Sequence, residues 1–241
     1  MNKDLTELVL VLDRSGSMNN CVQETESGAK ELIQDQKDEP GNVNVTYYRF
    51  NTNVEKVYES VDIHEIGEIK LEPSGMTALY DGIGVAISEV GQRLAKTPED
   101  QRPGLIVVAI MTDGFENMSQ EYDSTKVHKM IKHQTDKYGW QFIFLGANQD
   151  SFAVGGSMGI DAGKISNYAT SKSSLAYKGT SDVIKSMRGV SMHGGSVADL
   201  SACSFSDESR AEMSNDEPSV KTDQSLVQKA KSIISKWTNN D

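Results

Sequence analysis

The chain has 241 residues, of which 37% are hydrophobic, and a formal net charge of −11 at pH 7. This length predicts one domain with a substantial core, and the modest hydrophobic fraction predicts a solvated extension. The negative charge disfavours nucleic acid and anionic membrane surfaces as partners, because both bind through clustered lysine and arginine. We therefore expect neither class of partner.

The two cysteines, Cys21 and Cys203, lie far apart in the sequence and not in a metal-binding spacing. We interpret them as free thiols in a reducing compartment, with a disulfide as the alternative. The N-terminal residues lack a signal-peptide pattern, and no apolar run has the length needed to cross a bilayer. These features predict a cytoplasmic protein.

Predicted strands alternate with predicted helices along most of the chain. Apolar and β-rich runs predict strands at residues 5–12, 43–50, 54–61, 105–111, 141–145 and 164–168. Amphipathic spacing predicts helices at residues 22–38, 79–94, around 127–131 and at 149–158. The alternation predicts a doubly wound α/β fold with a mainly parallel central sheet and helices on both faces. The hairpin at 43–61 adds one antiparallel edge strand.

The composition changes in the C-terminal part of the chain. A last helix predicted at 173–187 closes a domain of residues 1–188. Residues 189–221 are rich in Ser, Gly, Asp and Glu, and we predict a linker or an irregular excursion there. Residues 222–238 carry an apolar stripe that predicts an amphipathic helix ending near Trp237. This helical extension must bury its stripe against the domain, another copy or a partner.

Three loops at predicted carboxyl ends of strands carry oxygen-bearing side chains. The first contains Asp13, Ser15 and Ser17 in the sequence DRSGS. The second contains Thr77 in GMTALYDGI, and the third contains Asp113 in IMTDGFEN. In open α/β sheets, ligands bind at this edge. Two carboxylates and three hydroxyls, without His or Cys, suit a hard cation such as Mg2+.

In this order, DRSGS, G-x-T-x-L-x-x-G-I and TDG-x-x-N resemble the von Willebrand factor A (vWA) domain family. The metal-ion-dependent adhesion site (MIDAS) of that family uses the same three loops. The resemblance favours an intracellular bacterial or phage type. It implies Mg2+ as the cofactor, with Mn2+ or Ca2+ as alternatives. The implied ligands, some of them acting through water, are Asp13, Ser15, Ser17, Thr77 and Asp113.

The resemblance also implies a ligand-binding rim around the metal. The rim residues would be Arg14, Met76, Glu116 and Asn117. Because neutral hydroxyls supply most of the ligands, the metal stays electron-poor and keeps a free coordination position. An Asp or Glu side chain of a partner protein would fill that position. The implied function is a non-catalytic protein-binding module, either an adaptor or an assembly component.

Simpler interpretations exist for the same residues. Residues 13–17 are also typical of a turn with a helix cap, and Thr77 of the cap of the following helix. Asp81 is interpreted as a first-turn residue favoured by the helix dipole. A metal-dependent hydrolase using Asp13 is an alternative function. It is disfavoured because no second carboxylate lies two residues after Asp13, and no catalytic His or Lys stands out in the loops.

Self-assembly is a third hypothesis. The acidic segment around Asp207 and Glu208 would donate a carboxylate to the metal of a neighbouring copy. The C-terminal segment would then support a homo-oligomer. Both the binding module and the self-assembling component would lack enzyme activity, and we predict that the protein is not an enzyme.

Overall fold

A computed structural model describes residues 1–147 and 150–214. Its strands are β1 Asn2–Asp13, β2 Asn42–Phe50, β3 Val54–Asp62, β4 Pro103–Thr112, β5 Gln141–Ala147 and β6 Ile165–Tyr168. Its α-helices are α1 Val22–Asp38, α2 Leu79–Lys96, α3 Ser124–Tyr138, α4 Ser151–Ser157, α5 Ser173–Met192, α6 Val197–Ala202 and α7 Asp207–Met213. Within these two ranges, no helix has the length and hydrophobicity required to cross a membrane.

The strands in the described ranges form one six-stranded sheet in the order β3-β2-β1-β4-β5-β6. β2 and β3 pair antiparallel as a hairpin, and the other neighbouring strands pair in parallel. In the central strand β1, Leu8 lies opposite Val45 of β2 and Val107 of β4. The predicted mainly parallel sheet with one antiparallel edge strand is confirmed.

Successive residues of β1 enter two separate hydrophobic cores, because a strand points alternate side chains to opposite faces of its sheet. Leu8 and Leu10 pack in the core that contains α1 and α5. Val9 and Val11 pack in the core that contains α2 and α3. Burial on both faces explains the continuous apolar run of this strand. The helices lie on both faces of the sheet, as predicted.

The structure differs from the predicted linker over the described part of residues 189–221. α5 continues past its predicted end, and α6 and α7 follow it. Leu200, Phe205 and Met213 are buried in the core shared with α1 and α5. Phe205 N donates to Gly163 O at 2.9 Å, and Ala169 N donates to Met213 O at 2.9 Å. These apolar residues are too unevenly spaced to form a periodic pattern, so tertiary contacts order the segment.

Asp207 and Glu208 lie in the first turn of α7 rather than in a flexible acidic segment. Ser206 caps this helix by accepting a hydrogen bond from Ser209 N at 3.1 Å. The self-assembly hypothesis therefore loses the flexible carboxylate donor on which it relied. The predicted C-terminal helix at 222–238 lies outside the described residues.

The parallel pairing of β1 and β4 brings two of the predicted loops together. Leu12 of β1 lies opposite Met111 of β4, so both strands end at the same edge of the sheet. The loop before α2 joins them there, since Ala78 N donates to Asn51 O, at the end of β2, at 2.8 Å. The sheet therefore presents all three predicted loops at one edge.

Candidate metal centre

Asp13 is the last residue of β1, and its side chain is fully buried. Its two oxygens have separate partners. Oδ1 accepts a hydrogen bond from Ser15 N at 2.6 Å, and Oδ2 accepts one from Thr112 Oγ1 at 2.6 Å. Burial raises the pKa of Asp13 to about 6, and these hydrogen bonds oppose the rise. The carboxylate is thus oriented at a position where a cation would offset the cost of burying its charge.

The loop after β1 directs its serine hydroxyls toward the third loop. Ser15 Oγ and Ser17 Oγ lie 3.0 Å apart, and Ser17 Oγ donates to Asp113 Oδ1 at 2.5 Å. Ser15 occupies the N-cap position of a short 3-10 turn, but its side chain makes no capping hydrogen bond. Gly16 N donates to Gly75 O at 3.1 Å and so ties this loop to the second one. The Ser15 hydroxyl therefore does not cap the turn, and the two serine hydroxyls lie side by side next to Asp113.

Thr77 is buried directly before α2. Ala78 occupies the N-cap position of α2, and no side chain caps that helix, so the interpretation of Thr77 as a cap is wrong. A β-carbon placed on Gly114 would lie 3.0 Å from Thr77 Oγ1 and 3.4 Å from Ser17 Oγ. Both hydroxyls therefore face Gly114 in the third loop. The missing side chain of this glycine leaves the space beside them open.

Asp113 follows β4 and is also buried. Burial raises its pKa, and the hydrogen bond from Ser17 opposes the rise. Among residues 1–147 and 150–214, no group of three or more His, Cys, Asp or Glu side chains forms a metal-binding cluster. A metal at this site would therefore use hydroxyl as well as carboxylate ligands. The oxygen-only donor set fits Mg2+.

The predicted rim residues have different surroundings. Met76 is 47% exposed next to the site. The guanidinium of Arg14 lies 3.4 Å from the Glu55 carboxylate on β3. Asn117 Oδ1 accepts a hydrogen bond from Thr77 N at 2.9 Å, so this side chain positions the second loop.

Two carboxylates join the third loop to α2. Glu116 Oε2 accepts a hydrogen bond from Tyr80 N at 3.0 Å. Asp81 lies in the first turn of α2, as predicted, and accepts hydrogen bonds from Gln120 N and Tyr122 N, both at 2.8 Å. These partners are 39 and 41 residues away from Asp81 in the sequence. The sequence pattern therefore located Asp81 but did not reveal its role as a loop anchor.

Phe115 was missed by the sequence reasoning. Its side chain is 61% exposed and follows Gly114 in the third loop. The available signal was an aromatic residue directly after the TDG motif. Together with Met76, Phe115 adds exposed apolar surface from the loops that carry the candidate oxygen ligands.

The sequence model of the von Willebrand factor type A domain matches residues 7–175, a range that includes all five candidate ligands. The chain belongs to the von Willebrand factor type A domain family. Domains of this family commonly mediate protein–protein interactions and often bind a divalent metal ion. A search of curated protein sequences finds no significant match.

Solved structures share the vWA fold with this chain at low sequence identity. Proximal thread matrix protein 1 from the mussel byssus has a TM-score of 0.52 and 16% identity, over 75% of this chain and 46% of that one. The pilus adhesin SpaC from Lactobacillus rhamnosus GG has a TM-score of 0.52 and 12% identity, over 75% of this chain and 30% of that one. The vWF domain of the type V pili tip protein Mfa5 from Porphyromonas gingivalis has a TM-score of 0.50 and 10% identity, over 74% of this chain and 94% of that one. The chain spans less than half the length of the mussel protein, and these identities establish the fold alone.

Proposed function

We propose that this vWA domain is a non-catalytic module that binds a partner protein through a Mg2+ ion at the candidate metal centre. The observation that carries the proposal is the convergence of hydroxyl and carboxylate oxygens from three loops around Gly114. Space beside this glycine is open to the hydroxyls of Thr77 and Ser17. Membership of a family that commonly mediates protein–protein interactions supports a protein as the ligand.

The proposed ligands are Asp13, Ser15, Ser17, Thr77 and Asp113. Mn2+ and Ca2+ are alternatives, because they also accept oxygen ligands. When bound, the ion supplies a coordination position that an Asp or Glu side chain of the partner completes. Three of the five proposed ligands are neutral, so much of the positive charge remains to attract that carboxylate. The chain itself contributes the orientation of Asp13, which Ser15 N and Thr112 Oγ1 hold through hydrogen bonds.

A hydrolase is the disfavoured alternative. Hydrolysis needs a nucleophile or a general base next to the metal. Both carboxylate oxygens of Asp13, the candidate nucleophile, already accept hydrogen bonds. The sequences of the three loops contain neither histidine nor lysine. These features support a binding role.

The proposed place of action is the cytoplasm, in an adaptor or assembly role of a bacterial or phage system. Cys21 and Cys203 are free and buried, which agrees with a reducing compartment. The net charge of −11 agrees with a protein partner rather than nucleic acid. A homo-oligomer formed through the C-terminal segment stays a prediction.

Thermal unfolding of the full chain in Mg2+, Mn2+, Ca2+ and EDTA tests the metal centre. An ion that binds the native state raises Tm by mass action. We expect Thr77→Ala and Asp113→Asn to abolish the rise. Ser186→Ala is the matched control, because its exposed hydroxyl on α5 donates to Asp182 O. A rise in the two site variants equal to that of the wild-type chain would overturn the metal centre.

Partner binding is tested by pull-down and cross-linking from a lysate of the source organism. The wild-type chain and Asp13→Asn are compared in Mg2+ and in EDTA. We expect one partner that is captured by the wild-type chain in Mg2+ alone. Exchanging the cross-linked Asp or Glu of that partner for Asn or Gln should abolish capture. Equal capture in all four conditions would contradict a metal-bridged interface.

A further inference from the structure

A cavity of about 1190 Å³ lies at the end of the sheet opposite the metal centre. It opens between the amino ends of β1 and β4, the C-terminal ends of α2 and α3, and the connection from α5 to α6. We call it the amino-end groove. Its defining residues are Lys3, Lys129, Lys137, Tyr138, Trp140 and Val197.

The amino-end groove exposes apolar side chains. The Tyr138 ring contacts its own helix, with Lys137 Nζ 5.3 Å and the His133 ring 5.6 Å from its centroid, and the rest of its surface is open. Tyr138 and Val197 are 51% and 52% exposed, whereas Trp140 is buried. A β-carbon placed on Gly139 would lie 3.4 Å from Val197 Cγ2, so the segment after α3 and the start of α6 are neighbours. Large exposed apolar side chains that cluster in a concave surface are typical of a binding site. The volume exceeds the roughly 300–1,000 Å³ of small-molecule pockets and suits a peptide segment.

Positive charge surrounds this apolar surface. Lys129 and Lys137 are exposed on α3, and Lys3 lies on β1 at the other side of the groove. The groove also contains Asp136, but Lys132 lies 2.7 Å from its carboxylate and balances the charge. A local excess of lysine is notable on a chain of net charge −11. The charge complement of this groove is an acidic ligand.

We propose that the amino-end groove binds an apolar peptide segment of a partner protein that carries Asp or Glu at its flanks. Leucine-like side chains would pack against Tyr138 and Val197, and the acidic flanks would face Lys129 and Lys137. A short segment stays within about 8–10 Å of these lysines, which is the Debye length near physiological salt, so salt does not fully screen the attraction. A long polyanion or an anionic membrane would extend over the acidic remainder of the chain and be repelled.

The charge also disfavours the chain's own predicted C-terminal helix at 222–238 as the occupant. Residues 222–238 contain Lys229, Lys231 and Lys236 but one acidic residue, Asp223. A positive segment is repelled by the lysines around the groove. The proposed site is independent of the metal centre, because it lies at the opposite end of the parallel strands.

Fluorescence anisotropy with two labelled peptides tests the proposal on the full chain. One peptide has a leucine-rich centre with two glutamates at each end, and the other has lysines in place of the glutamates. The variants are Val197→Asp and the double charge reversal Lys129→Glu/Lys137→Glu. The matched controls are Val57→Asp, at an exposed apolar residue on β3, and Lys30→Glu, at an exposed lysine on α1.

We expect the acidic peptide to bind more tightly than the basic one, and its affinity to fall with added salt. Val197→Asp and the double charge reversal should each raise Kd by about tenfold or more, a free-energy loss typical of one interface anchor. The two control variants and Asp13→Asn should bind as the wild-type chain does. Failure of the acidic peptide to bind, equal binding of both peptides, or equal losses in the controls would overturn the proposal. Val197-dependent binding to anionic lipid vesicles instead of the peptide would also overturn it.

Discussion

Ser17 Oγ donates a hydrogen bond to Asp113 Oδ1 at 2.5 Å, across 96 residues of sequence. The contact joins the loop after β1 to the loop after β4. It exists because the two strands are parallel neighbours that end at the same edge of the sheet. A hydroxyl and a carboxylate at this separation present two oxygens to one small region, as a shared cation requires.

Ser17→Ala should weaken both the fold and metal binding. In the metal-free chain, Asp113 loses a donor, and we expect the free energy of unfolding in urea to fall by about 1–3 kcal/mol. Calorimetric titration should show Mg2+ binding weakened by about 10–100-fold, the scale known for residues that support a metal site. Ser186→Ala should change neither quantity. An unchanged Mg2+ affinity in Ser17→Ala would exclude this residue as a ligand.

Asp81→Asn should loosen the loop that carries Asp113. One carboxylate oxygen accepts a hydrogen bond from Gln120 N, and the other accepts one from Tyr122 N. In asparagine one of these oxygens is replaced by an NH2 group, which cannot accept a hydrogen bond, so one of the two contacts is lost. We expect a loss of about 1–3 kcal/mol in the free energy of unfolding and faster amide exchange at these two residues. Mg2+ affinity should fall as well.

Asp136→Asn is the control for Asp81→Asn. Its carboxylate makes an exposed pair with Lys132 on α3, and such pairs contribute about 0–1 kcal/mol. If Asp81→Asn shows the same amide exchange rates at residues 120–122 as the wild-type chain, the anchoring role is contradicted.

Phe205→Ala tests whether the segment after α5 belongs to the domain. Phe205 is buried in the core that contains α1 and α5, so we expect a loss of about 3–5 kcal/mol in the free energy of unfolding. Ser204→Ala, at the exposed neighbouring position, should change it by less than about 0.5 kcal/mol. A linker that is independent of the domain would instead leave stability unchanged in both variants.

The Asp199 carboxylate should make the stability of α6 depend on pH. Ser196 N donates to Asp199 Oδ2 at 2.7 Å, and Asp199 N donates to Ser196 Oγ at 3.3 Å, as in a capping box. Ser196 Oγ also donates to Asp199 Oδ2, at 2.8 Å. The hydrogen bonds that the carboxylate accepts, first the one from the Ser196 backbone and then the one from its hydroxyl, lower the pKa of Asp199 below its ordinary value of 3.8. Because the folded-state pKa is the lower one, the contribution to stability is present above pH 3.8 and lost as pH falls through the folded-state pKa.

The pH dependence is measured by urea unfolding of the wild-type chain and Asp199→Asn over a series of pH values. The stability advantage of the wild type should disappear as the pH falls below 3.8. Ser201→Ala, on the same helix, changes no titratable group, so its difference from the wild type should not depend on pH. A constant difference for Asp199→Asn would contradict the prediction.

Local patterns were sufficient for the sheet and for the placement of the candidate ligands at one of its edges. Leu8 and Val9 face different cores, so β1 has to be apolar at every position, and such a run is recognisable without a structure. Asp13 and Asp113 belong to short motifs that follow apolar runs, and their meeting follows from the rule that parallel strands end at one edge.

Contacts distant in sequence were not predictable from those patterns. Asp81 and Glu116 look like loop and first-turn carboxylates, and their amide partners depend on how the third loop folds back onto α2. Phe205 stands alone in a polar stretch, so no periodicity marked it as a core residue. The exposed pair of Tyr138 and Val197 likewise becomes visible when α6 is placed beside the end of α3.

The sequence by itself determined the α/β class, the order of strands and helices as far as α5, and the candidate oxygen-ligand motifs, because hydrophobic periodicity and short motifs are local properties. The tertiary structure alone decided which hydroxyls face Gly114, which carboxylates hold loops, and that the chain after α5 packs on the domain. These features depend on packing between residues far apart in the chain, where a single buried side chain or one hydrogen bond determines the outcome.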